Sequence, residues 1–228
     1  MKISSDFSDI KINKAEILNY LGYNQDLANK SLDYICDEAA DTIERLSSPT
    51  YLYSYFDIEK KADGILVCDT PLLLRGKSIS HHLKSCGKIA LLCVTLSNAI
   101  DRVIMQAKFD VLNQLFLDVA ASVYIEQICE RVFEMIKDEN PDLFLTKRYG
   151  VGYGDLSLIY QQDVLTILNA QKRIGVMATA DGILTPRKSI TAIVGLSSSE
   201  IISSYKPCDS CILRNDCKYF IRGEYCGK

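Results

Sequence analysis

Four cysteines crowd into the last 21 residues of this 228-residue chain, as Cys208-x-x-Cys211-x5-Cys217-x8-Cys226. A C-x-x-C pair in a reducing compartment points to metal or redox chemistry rather than to a structural disulfide. Four thiolates suit zinc or a [4Fe-4S] cluster. Zinc ribbons pair two C-x-x-C knuckles, whereas the second pair here is spaced by eight residues, which favours the cluster and leaves zinc as the alternative. Lys206, Arg214, Lys218 and Arg222 lie among these ligands and offset their negative charge. A tail of free thiols is the plainer alternative. The remaining cysteines, Cys36, Cys68, Cys86, Cys93 and Cys129, stand singly in apolar contexts and read as buried small hydrophobes.

The second constellation is Arg148-Tyr149-Gly150-Val151-Gly152-Tyr153-Gly154-Asp155. Three glycines alternate with larger residues, so backbone N–H and C=O groups are expected to lie open to a ligand. One cation, one aromatic ring and one carboxylate complete the features of a small-molecule cradle. A Gly-rich turn between strand and helix accounts for the same residues. The dinucleotide fingerprint does not apply, because the G-x-G-x-x-G spacing and a surrounding βαβ unit are missing. A third feature is the pair Asp118 and Glu126, which interrupts an apolar run at a separation of eight and so projects to roughly one side of a helix. Carboxylates are rarely buried without a partner or a task; a solvent-facing strip is the alternative.

The elements that position these groups follow from periodicity. Residues 14–47 read as two helices broken at Gly22, with Ser47-Ser48-Pro49 stopping the second. From Tyr51 the period becomes two, and strands are expected at 51–58, 64–68 and 72–74. A short helix at 78–83 precedes a buried-type strand, Ile89-Ala90-Leu91-Leu92-Cys93-Val94-Thr95-Leu96. Residues 98–137 form the longest helical stretch, with a break expected near Lys108, and its second half is apolar on most faces. A helix at 158–172 ends at Gly175, and strands at 176–179 and 189–195 close the core. The division expected is an N-terminal helical arm (1–50), a core (51–198) and a cysteine-rich tail (199–228). The fold class expected is α+β, a mainly antiparallel sheet packed on long central helices.

The composition narrows the function. A net charge of −3 gives no electrostatic case for nucleic acid. No apolar run is long enough to span a membrane, and the first residues lack an apolar signal core, so a cytoplasmic protein is expected.

Several segments together resemble one family, the activation domain of cobalamin-dependent methionine synthase. Asp118 through Glu126 to Glu130-Arg131-Val132 is similar to the family's helix, which carries Asp, Glu and Glu-Arg-Val at this spacing. Arg148-x-x-x-Gly152-Tyr153 resembles its R-x-x-P-G-Y segment, with Val151 in place of the proline. Lys172-x-x-Gly175 through Thr179 to Pro186-x-x-Ser189 resembles its K-x-x-G…T…P-x-x-S run. The similarity covers roughly residues 80–195 and does not reach the cysteine tail. It implies a module that binds S-adenosylmethionine and supports reductive remethylation of cobalamin, with Arg148 on the ligand carboxylate and Glu126 facing the ammonium or sulfonium. Gly150, Gly152 and Tyr153 would line the groove, and Asp155 would add a charge beside it.

The histidines are His81 and His82, and no Asp-x-His-x-x-Gly corrinoid segment is present. The resemblance therefore implies a cobalamin carried by a partner, a corrinoid-binding methyltransferase subunit, with a low-potential electron donor. A cluster on the tail cysteines would suit that electron supply. A non-catalytic protein that senses S-adenosylmethionine or metal, and an enzyme using S-adenosylmethionine on its own substrate, remain as alternatives.

Overall fold

The structure is a computed structural model and describes residues 7–22, 30–201 and 214–221. Its centre is β4 (Lys88–Thr95), flanked by β1 (Thr50–Lys61) on one side and β9 (Ser189–Ser197) on the other. Among the described residues the sheet is antiparallel throughout. It runs from β3 (Leu73–Leu74) and β2 (Gly64–Val67) through β1, β4 and β9 to β5 (Phe144–Leu145), and β6 (Tyr149–Gly150) also pairs with β9. Side chains alternate across a strand, so a continuous apolar run such as 89–94 requires protein on both faces. That is what the sheet has. Tyr53, Leu92 and Ala192 lie opposite one another in register and enter one core, while Leu91 and Ile193 enter the other. Leu91 and Leu92 are fully buried on opposite faces, each contributing about 1.5–3 kcal/mol.

The first core is closed by α1 (Lys14–Tyr20), α2 (Lys30–Leu46), α4 (Asn98–Gln106) and α5 (Val111–Asp138). The N-terminal stretch belongs to this core: Phe7, Ile12, Ile17 and Ile43 are buried with Phe116, Ile128 and Val132 of α5. The break expected near Lys108 is a 3-10 turn, Ala107–Phe109, after which the Asp110 side chain accepts the Asn113 N–H at 3.1 Å and starts α5. The second core holds α3 (Lys77–His82), α6 (Tyr160–Ile167) and α7 (Ala170–Ile174), beside a ribbon of β7 (Met177–Ala178) and β8 (Leu184–Thr185). The α+β class and the antiparallel sheet are as expected.

The differences are local. The helix expected over 158–172 is two helices, because Asn169 takes φ 53 and a left-handed residue cannot continue the hydrogen-bond ladder. The strand expected at 176–179 is reduced to Met177 and Ala178. Residues 144–150 contribute two short strands to the sheet, too short to leave a period in the sequence. No described helix is long and apolar enough to cross a membrane.

Candidate functional site

The site is built where α5 faces the segments that precede β6 and β9. Asp118, Ser122, Glu126 and Glu130 follow one another at steps of four on α5 and so share one slowly turning side. Two cations reach that side. Lys188, immediately before β9, places Nζ 2.9 Å from Asp118 Oδ1 and donates to Ser122 Oγ at 2.8 Å. Arg148, immediately before β6, donates from Nη1 and Nη2 to Glu126 Oε2 at 3.1 Å each, and from Nη2 to Glu130 Oε2 at 3.2 Å. The pairing of Tyr149 with Ile193 and of Gly150 with Ala192 holds the Arg148 end of this arrangement.

Arg148 is the sheltered member. Its side chain is 20% exposed, against 49% for Glu126 and 57% for Glu130. Burial works against its charge, but its neighbours outweigh that cost and hold its pKa above the ordinary arginine value, Cys129 contributing only where its own thiol ionises and Glu126 and Glu130 throughout. Beneath it, burial pushes the Cys129 thiol up to about 12, with Arg148 pulling the other way, so the thiol stays protonated at neutral pH. The carboxylates face water, so each ion pair is worth only about 0–1 kcal/mol in stability. The geometry instead keeps a planar donor fork fixed beside a solvent-facing acidic strip.

The Gly-rich turn is hung on α3. The Asp155 carboxylate accepts the N–H groups of Lys77 at 2.6 Å and Ser78 at 3.0 Å, capping a helix that has no side-chain cap of its own. At the other end, His82 Nε2 donates to the Lys147 carbonyl at 3.0 Å, and its ring lies 4.9 Å from that of Tyr149. Burial pushes the His82 pKa down to about 4, so the ring is neutral and carries its proton on Nε2.

The open cradle expected over the glycines is corrected. A Cβ on Gly152 would lie 2.5 Å from Leu158 Cδ2, and one on Gly154 would lie 2.8 Å from Ser78 Oγ and from the Tyr149 hydroxyl. Positive φ at both residues folds the turn back onto its own chain, which fills the space a ligand was expected to use. Over Gly150 the cover is the Tyr153 ring, which would lie 3.0 Å from a Cβ at that position, and Tyr153 is 61% exposed. Leu158 also borders a hollow of about 320 Å³ lined by Gln161, Gly182, Ile183, Arg187 and Ser189, which therefore adjoins the turn.

Of the residues singled out in the sequence, Glu126 and Arg148 meet, and Gly150, Gly152 and Tyr153 follow on the same turn. Asp155 lies on that turn too, with its carboxylate engaged by α3. Sequence reasoning gave no role to Glu130 as second partner of Arg148, although its i+4 position relative to Glu126 was a usable signal. It also gave none to Lys188 and His82, whose contacts lie 70 and 65 residues away and leave no local trace. Cys208, Cys211 and Cys226 fall outside the described residues. Cys217 is partly exposed, and its carbonyl accepts the Ile221 N–H at 3.0 Å in the short helix α8 (Lys218–Ile221). Among the described residues no three metal-ligating side chains come together.

No protein-family model matches the sequence, and no curated protein matches it. Among solved structures, the chain is similar to the crystal structure of the MetH reactivation domain bound to AdoHcy. The TM-score is 0.65 at 13% identity, over 92% of this chain and 82% of that one. At that identity the likeness establishes the fold.

Proposed function

We propose that this chain is an S-adenosylmethionine-binding module that supports, in trans, reductive remethylation of the cobalamin of a corrinoid-dependent methyltransferase such as methionine synthase. The observation that carries this reading is the meeting of Arg148 with Glu126 beside the Gly-rich turn, in a fold shared with a reactivation domain that binds AdoHcy. The guanidinium fork takes the ligand carboxylate, a pairing that arginine makes bidentately. Glu126 takes the ammonium or lies against the sulfonium. Gly150 and Tyr153 line the groove once the exposed Tyr153 ring swings off Gly150, Gly152 joins them only if the Leu158 side chain also moves, and the hollow beside Leu158 gives the rest of the ligand room. Asp155 serves the site by tying the turn to α3.

The corrinoid is assigned to a partner, since these 228 residues hold no Asp-x-His-x-x-Gly segment to carry it. A low-potential donor supplies one electron, and the methyl group passes from sulfonium to the reduced corrinoid. The part played by this chain is to bind and orient the methyl donor. Cys208, Cys211, Cys217 and Cys226 are assigned to a [4Fe-4S] cluster or zinc.

Titration calorimetry with S-adenosylmethionine, followed by a remethylation assay on a cobalamin-loaded methyltransferase under reducing conditions, tests the proposal. Saturable binding and ligand-dependent remethylation are expected. No heat at millimolar ligand overturns the binding role. Binding without remethylation of the corrinoid leaves a sensor.

A further inference from the structure

The Arg148 cluster carries more negative charge than positive. Glu126 and Glu130 both bond to one guanidinium, and among the described residues no other cation pairs with either. The two are not equivalent. Glu126 accepts two N–H groups from the fork, whereas Glu130 accepts one and is the more exposed. The less satisfied and more exposed share of the negative charge is thus on Glu130. Methyl transfer changes the charge of the ligand at one atom. The S–CH3 bond breaks with its electron pair left on sulfur, the methyl goes to the accepting nucleophile, and the sulfonium becomes a neutral thioether.

We propose that Glu130 is a specificity-determining residue, whose carboxylate, sharing one guanidinium with Glu126, makes the site favour the sulfonium ligand over the thioether product. This rests on the S-adenosylmethionine reading above. The surplus charge attracts the methyl donor and loses its hold when the positive charge leaves, which favours product release. Glu130 is half exposed and lies on the surface of α5, so its replacement removes charge without opening the core.

The test is calorimetry of the full chain with S-adenosylmethionine and with S-adenosylhomocysteine at low salt, for the wild type, Glu130→Gln and Glu134→Gln. Glu134 is one turn further on and pairs with Lys137 at 3.2 Å, so it controls for general surface charge. The wild type is expected to prefer the sulfonium by about tenfold, equivalent to about 1.4 kcal/mol. Glu130→Gln should bring the two affinities to within about twofold, while Glu134→Gln keeps the wild-type ratio. Raising the salt to about 1 M, where the Debye length is about 3 Å, should shrink the wild-type preference. Equal wild-type affinities, or a Glu130→Gln ratio like the wild type's, overturn the proposal and leave the binding role standing. Failure of the wild type to bind either ligand overturns both.

Discussion

Asp155 accepts the backbone N–H of Lys77 at 2.6 Å, across 78 residues of chain. Gly76 precedes the helix and offers no side chain to cap it, and a Cβ there would lie 2.7 Å from Asp155 Oδ1. The cap is thus supplied by the turn that carries the candidate site, and the helix in return fixes that turn. Asp155→Ala should lower stability by about 0.5–2 kcal/mol, the usual cost of losing a helix N-cap, because two N–H groups lose their acceptor. Asp155→Asn should cost less. Urea denaturation reads both, and an unchanged midpoint for Asp155→Ala would show that the cap does not stabilise. Burial opposes ionisation of Asp155, but the Ser78 and Lys77 amides prevail and hold its pKa below the ordinary value. Its contribution is therefore present above the ordinary aspartate range and lost as pH falls through the depressed pKa.

His82 sets a second pH dependence. Burial pushes its pKa down to about 4 from an ordinary 6.5, against the pull of the Lys147 carbonyl. The unfolded chain binds the proton first, so stability is full above about pH 6.5 and declines as pH falls toward 4, by up to about 3 kcal/mol. His82→Gln should flatten this slope in thermal unfolding. An NMR titration that places the His82 midpoint near 6.5 would remove the effect.

Arg148→Ala should weaken S-adenosylmethionine binding by about 1.5–3 kcal/mol, or roughly 10–150-fold. Arg148→Lys keeps the charge and loses the fork, so it should rescue only part of the affinity. Glu126→Gln should weaken binding with little change in unfolding, since its side chain is about half exposed. Calorimetry paired with denaturation separates the two effects; a collapsed fold for Glu126→Gln would assign that residue to structure.

Protein prepared without oxygen should be brown, absorb near about 400 nm and contain about four iron atoms per chain if the tail cysteines hold a [4Fe-4S] cluster. A colourless sample with about one zinc per chain selects the alternative. Cys208→Ser and Cys211→Ser should remove either metal. Full metal content in both variants would dismiss these ligands.

Gly182 and Gly22 separate two costs of replacing glycine. Both have φ 80, but a Cβ on Gly182 would lie 2.5 Å from the Leu158 carbonyl oxygen, while one on Gly22 meets nothing within 4 Å. Gly22→Ala should cost about 1–2 kcal/mol from backbone strain alone. Gly182→Ala should cost more, because backbone must shift, and equal midpoints for the two would show that the Leu158 contact is unimportant.

Much of the architecture was readable in the chain itself. The unbroken apolar run at 89–94 implied a strand buried on both faces, and β4 has helices on each side. The apolar stretch after Lys108 implied a central helix, and Asp110 starts it. The spacing of Asp118 and Glu126 implied a shared side, and each meets a cation there. These signals are legible because burial and periodicity repeat over many residues, each adding to the same pattern.

The site was less legible. Arg148, Glu126, Gly150, Gly152 and Tyr153 were recognisable as residue types at suggestive spacing, yet the turn was expected to be bare and is covered by Leu158, Ser78, Tyr149 and Tyr153. By itself the sequence determined the α+β class, the strand and helix that form the core, and the presence of an arginine beside a run of glycines. Only the tertiary structure decided that Arg148 is shared between Glu126 and Glu130, that Lys188 reaches Asp118, and that Asp155 caps α3. Each of those choices depends on one or two contacts between distant segments, set by the register of β6 and β9, and a single contact worth about 1 kcal/mol leaves no periodic trace in the chain.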